Sequence, residues 1–125
     1  MNNLLIATAA IEVGAGVALL LMTSVSASLL LGSPLASPSA MVVGRLAGVA
    51  LLTLGIACWL GRGEGESHAA NALVGAMMFY NAAAAVLLSY ARIGLALAGV
   101  LLWPAILLHA AMTIWCFANL RDRRG

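Results

Sequence analysis

The sequence contains no lysine, and only 8% of its 125 residues carry a charged side chain. A soluble domain carries about 25% charged residues, because its surface must be wetted. A globule facing water on all sides is therefore excluded. The six arginines exceed the four acids by only two. That balance is too small and too scattered for a nucleic-acid footprint, and no nucleic-acid partner is expected.

Cysteine is scarce as well. Cys58 and Cys116 lie in apolar segments with no CxxC spacing. Two separated thiols are too few ligands for a structural zinc, so no metal and no cofactor is expected. Both cysteines read as small apolar packing residues. The chain also has no nucleophile–base spacing, no zinc motif and no phosphate-binding loop.

What the chain has in abundance is hydrocarbon, at 64% hydrophobic residues. A bilayer core about 30 Å thick needs roughly 20 apolar residues in a helix. Four segments meet that length: about 4–31, 40–61, 68–90 and 93–118. Each must be helical, because lipid offers no partner to a free backbone N–H or C=O. The expected fold is all-α: an integral membrane four-helix bundle, one domain over residues 1–125, with short loops and both termini on the same side.

The breaks follow turn chemistry. Gly32-Ser33-Pro34, Ser37-Pro38-Ser39 and the glycine-rich run from Gly61 to Ser67 interrupt the apolar runs, and Tyr90-Ala91-Arg92 marks a tight third break. The first apolar run far exceeds the 7–15 residues of a secretory signal. It lacks a basic residue ahead of it, and Glu12 interrupts it. It is expected to be a retained span, although Val25-Ser26-Ala27 has cleavage-site chemistry.

Arginine placement sets the orientation. Arg62, Arg121, Arg123 and Arg124 share one side, against Arg92 on the other and Arg45 just inside the second span. Cytoplasmic flanks collect Lys and Arg. Both termini are therefore expected in the cytoplasm, in the cell inner (cytoplasmic) membrane. Trp59 and Trp115 would lie near the cytoplasmic interface and Tyr90 near the outer one.

Ionisable groups inside a span are costly and mark function or a specific packing role. Glu12, Arg45 and His109 stand out, joined by Tyr80 and Asn81 on the third span. These five are the candidates for ligand binding or proton exchange. Helical spacing puts Thr8, Glu12, Ala15 or Gly16, Thr23 and Ser26 on one stripe of the first span. It does the same for Met41, Arg45, Gly48, Leu52, Gly55 and Trp59 on the second. On the third the stripe is Asn71, Met78, Asn81, Ala85 and Ser89. On the fourth it is Gly99, Leu102, Ile106, His109, Thr113 and Cys116. These stripes are expected to converge on a shared interior.

Glu12 and His109 lie at similar depth and can meet across the bundle, whereas Arg45 is nearer the opposite interface. Glu12 reads either as an acid, protonated or hydrogen-bonded to His109 or Asn81, that locks helix register, or as a carboxylate exchanging protons or cations. His109 reads as a hydrogen-bonded core histidine, or as a relay or ligand contact. Arg45 snorkels outward, pairs inward, or holds an anionic group. Glu64 and Glu66 read as solvated loop charges. Gly44 and Gly48 form a GxxxG pair, which favours close helix packing. Pro104 is expected mid-span, where it would remove a backbone hydrogen bond and kink the fourth helix.

Four short spans with a lone acid in the first, in Ala10-Ile11-Glu12-Val13-Gly14, resemble the small multidrug resistance transporters. That resemblance implies an antiparallel dimer in which Glu12 exchanges protons for hydrophobic cations. It covers a handful of residues in one helix. The third span, Met77-Met78-Phe79-Tyr80-Asn81-Ala82, lacks the Trp-Ser-Gly pattern of that family. Arg45 would repel a cationic substrate, and the arginine bias favours one orientation. The chain is not assigned to the family on these residues.

Three functions are left. The first is a non-enzymatic protein that binds a hydrophobic small molecule or serves as an accessory subunit of a larger membrane complex. The second is a proton-coupled transporter built on Glu12, with a homodimer completing the path. The third is a membrane-embedded enzyme acting on an apolar substrate, with Glu12 or His109 as acid–base.

Overall fold

The structure is a computed structural model that describes residues 1–65 and 67–122. Glu66, Arg123 and Arg124 lie outside the described residues. The chain forms five helices: α1 (Asn2–Leu21), α2 (Thr23–Leu31), α3 (Pro38–Gly61), α4 (His68–Ile93) and α5 (Leu102–Arg121). Among the described residues there is no strand. Helices α1, α3, α4 and α5 are each long and apolar enough to cross a bilayer. Their length and composition mark a multi-pass membrane protein. Four crossings return the chain to the side on which it began.

The expected first span is two helices. The chain bends at Met22, with φ −124° and ψ 46°, and neither proline nor glycine stands at the break. Hydroxyls serve the local backbone instead. The Ser26 hydroxyl donates to the Ala18 carbonyl at 3.1 Å, and Ala18 also accepts from the Met22 N–H at 2.8 Å. Gly32 ends α2 in the left-handed region, with φ 86°, a conformation that glycine adopts without steric cost.

Serine side chains start α3 and α4. Ser37 Oγ accepts from Ala40 N–H and Ser67 Oγ from Ala70 N–H, each at 3.1 Å, and each satisfies one of the free donors of a first helical turn. At the far end of α3, the Arg62 guanidinium stacks over the Trp59 ring at 3.6 Å and bonds the Trp59 carbonyl. This covers a helix C-terminus with positive charge, the sign that the helix dipole favours there.

The fourth span begins later than the sequence indicates. Residues 94–101 are not helical, and α5 starts only at Leu102. Pro104 therefore sits in the first turn of α5, where its missing N–H has no helical acceptor to lose. The expected mid-span kink does not occur. The non-helical segment lies against the end of α2, where Leu101 N–H donates to the Leu29 carbonyl at 2.9 Å. Gly99 makes this contact possible, because a Cβ there would stand 2.2 Å from the Leu30 carbonyl oxygen.

The helices associate as two pairs, α1 with α3 and α4 with α5. The α1–α3 seam is glycine against backbone. A Cβ on Gly48 would meet Leu20 N at 2.8 Å and Gly16 O at 2.9 Å, and one on Gly55 would meet Val13 N at 2.9 Å. Van der Waals contact is the main attraction between helices in lipid, and it rewards this approach. The two pairs join around Leu4, Leu5, Ala9, Cys58, Val74, Met77, Met112 and Cys116, a buried cluster drawn from all four spans.

Candidate functional site

Above that cluster, four polar side chains link three helices. Glu12 on α1 is 3% exposed and Asn81 on α4 is 2% exposed. Tyr80 on α4 and His109 on α5 are half-buried beside them. Asn81 Nδ2 donates to the Met77 carbonyl at 2.8 Å. That leaves Oδ1 as the acceptor for His109 Nδ1 at 2.8 Å, which places a proton on Nδ1. The Tyr80 hydroxyl lies within reach of the Glu12 carboxyl. The Tyr80 and His109 rings meet edge to face, with centroids 5.7 Å apart.

The result is a chain of contacts from Glu12 through Tyr80 and His109 to Asn81, crossing the seam between the two helix pairs. Helical spacing explains part of it. Met77 and Asn81 are one turn apart on the buried face of α4, and Tyr80 flanks that face. His109 and Thr113 are likewise one turn apart on α5, and the Thr113 hydroxyl donates to the His109 carbonyl at 2.8 Å. Among the described residues, every fully buried side-chain nitrogen and oxygen has a hydrogen-bond partner.

The structure brings Glu12, Tyr80, Asn81 and His109 together and leaves Arg45 out. Arg45 is exposed, on the outer face of α3, among Val42, Leu46 and Val49. The stripe that placed it inside is corrected to Gly44, Gly48, Gly55 and Cys58, with Trp59 also turned outward. The cause is the close approach of α1. A seam that admits no Cβ at Gly48 has no room for a guanidinium one helical step away. Among the described residues, Arg45 has no hydrogen-bond or ion-pair partner.

Three participants take roles that the stripes do not assign. Gly16 and Gly55 complete the seam that the Gly44–Gly48 pair begins. The seven-residue interval from Gly48 to Gly55 is the signal that points to them. Cys58 joins Cys116 in the buried cluster beneath Glu12. Both cysteines are free thiols, and among the described residues no group of three or more His, Cys, Asp or Glu could hold a metal ion.

Several clefts open on the outer surface. One, of about 330 Å³, is lined by Ile6, Ala9, Ala10, Val13, Ile56 and Trp59 between α1 and α3. Another, of about 500 Å³, lies where α2 meets the start of α3, with Ser37 and Ser39 at its edge. Comparison with known protein families, characterised proteins and solved structures finds no match to this chain.

Proposed function

We propose that the protein is a non-enzymatic inner-membrane protein that holds a hydrophobic small molecule or serves as an accessory subunit of a larger membrane complex. Both termini face the cytoplasm in this reading, in keeping with the arginine bias of the loop after α3 and the tail. The observation that carries it is the closure of the interior network. The buried polar groups bond to one another and to the backbone. Among the described residues, Glu12 and Asn81 are closed off inside the bundle, and catalysis needs a reactive group free to meet substrate. The polar groups hold helices in register, and the outer apolar faces remain for ligand or partner.

A second reading is favoured by one detail. Glu12 is a buried acid whose side-chain partner is a tyrosine rather than a cation. Such a carboxyl is suited to proton exchange, as in a proton-coupled transporter working as a homodimer.

Glu12→Gln separates the two. The amide keeps the shape and a hydrogen bond but cannot exchange a proton. Under the first reading, proteoliposomes carrying either form show the same proton flux, and the variant differs only in thermal stability. A proton or cation flux present in the native protein and abolished in the variant would replace the first reading with the second.

A further inference from the structure

The α1–α3 seam fixes the level of each residue along the bundle. Gly55 approaches Ala9 and Val13, and Gly48 approaches Gly16 and Leu20, so the two helices run antiparallel. Trp59 and Arg62, one and two turns past Gly55, therefore stand level with the first two turns of α1.

This end of the bundle carries a positioned cation. The Arg62 guanidinium lies over the Trp59 ring at 3.6 Å and donates through Nη1 to the Trp59 carbonyl. An arginine has five N–H donors, and the rest of this planar fork matches phosphate oxygens. Among the described residues no carboxylate is ion-paired with it. The first turn of α1 holds no acidic residue and has no side-chain cap, so its dipole adds to the positive field at this level. Arg121 ends α5 on the same side, and Arg123 and Arg124 follow it in sequence. Arginines gathered beside a span attract anionic lipid.

The ring under Arg62 is also a wall of the 330 Å³ cleft. The other walls are Ile56 on α3 and Ile6, Ala9, Ala10 and Val13 on α1. Cation and cleft thus share Trp59, at one end of the bundle. From Ile6 to Val13 the cleft follows α1 inward for about 10 Å at about 1.5 Å per residue. One leaflet offers about 15 Å of hydrocarbon, half of a core about 30 Å thick. Ile6, Ile56 and Trp59 are partly exposed, so the cleft opens toward lipid. A cation at the interface with an apolar trough running inward from it matches the order of parts in a phospholipid.

We infer that Arg62 and the cleft between α1 and α3 hold one phospholipid of net negative charge, its phosphate on the guanidinium and one acyl chain in the cleft. The inference deepens the ligand-holding reading above by naming the ligand class, and it rests on that reading. The outcome of the Glu12→Gln flux experiment is independent of it.

The test is native mass spectrometry of the full chain released from mild detergent, titrated with dioleoyl phosphatidylglycerol and, separately, with dioleoyl phosphatidylcholine and inorganic phosphate. The native chain is expected to keep one phosphatidylglycerol, to bind phosphatidylcholine more weakly, and to bind no phosphate alone. Arg62→Gln and the cleft-filling Ala10→Phe each weaken phosphatidylglycerol at least tenfold, Arg62→Lys weakens it less, and Arg92→Ala, at the other end of α4, leaves it unchanged. Ala10 is exposed, so Ala10→Phe keeps the native melting temperature in lipid-free detergent. Added phosphatidylglycerol raises the melting temperature of the native chain and leaves that of Arg62→Gln where it was. Equal retention of phosphatidylglycerol by the native chain and Arg62→Gln overturns the inference. So does an Arg92→Ala loss as large as that of Arg62→Gln, unchanged binding in Ala10→Phe, equal binding of the two lipids, or displacement of the lipid by inorganic phosphate.

Discussion

The ring of Tyr80 stands edge-on to the imidazole of His109, at an interplanar angle of 85°. One side chain comes from α4 and the other from α5, and the same tyrosine reaches across to Glu12 on α1. Tyr80 is thus the member of the polar network that spans both helix pairs. Removing its hydroxyl tests that position. Tyr80→Phe keeps the ring contact and leaves the buried Glu12 without its side-chain partner, at an expected loss of about 1–3 kcal/mol. Thermal unfolding in detergent, compared with the native chain, measures it.

The Asn81–His109 bond contributes less. Side-chain hydrogen bonds between membrane helices average about 0.6 kcal/mol and reach about 1.7. A double-mutant cycle of Asn81→Ala and His109→Ala is expected to give a coupling in that range. A coupling near zero would mean that the 2.8 Å contact adds nothing to the pairing of α4 with α5.

Two glycines on the paired helices give an internal comparison. A Cβ on Gly48 would press on the backbone of α1, whereas one on Gly14 would meet nothing within 4 Å. Gly48→Ala is expected to destabilise by about 1–3 kcal/mol through forced separation of the helices. Gly14→Ala is expected to be neutral or to stabilise by up to about 1 kcal/mol through helix propensity. Equal effects of the two, read by chemical unfolding, would remove the case for a close α1–α3 seam.

Pro104 is expected to be dispensable. In the first turn of α5 it blocks no helical bond, and its side chain is exposed. Pro104→Ala should shift stability by no more than about 0.5 kcal/mol.

Gly99→Ala acts nearby and should matter more. The added methyl collides with the Leu30 carbonyl and displaces the bond from Leu101 N–H to Leu29. Loss of hydrogen-exchange protection at the Leu101 amide, with little change around Met77, is the expected signature.

The sequence announces the four apolar spans through their length, and the serine caps and glycine turns come close to their ends. It also separates Glu12, Asn81 and His109 from their surroundings, because polar groups are conspicuous against leucine and alanine. Two features are not readable in the same way. The rotation of α3 about its axis depends on which face α1 approaches, and a stripe containing both Gly48 and Arg45 does not reveal which residue wins. Backbone contact with Gly16 decides it, and that is a tertiary fact. The late start of α5 is similar. Leu95 to Leu101 are as apolar as any helical stretch, and only their bond to the end of α2 explains why they stay unwound.

The pairing order of the helices bears on how the chain is built. Each pair joins spans adjacent along the polypeptide, so the glycine seam of the first two is complete in composition before α4 has been synthesised. A chain ending in the loop at Gly63 already contains both partners of that hairpin. The second hairpin needs only to slide in beside it, closing the Glu12–Tyr80 contact last. Two half-chains divided at that loop and co-translated into one membrane should then find each other and restore the fold.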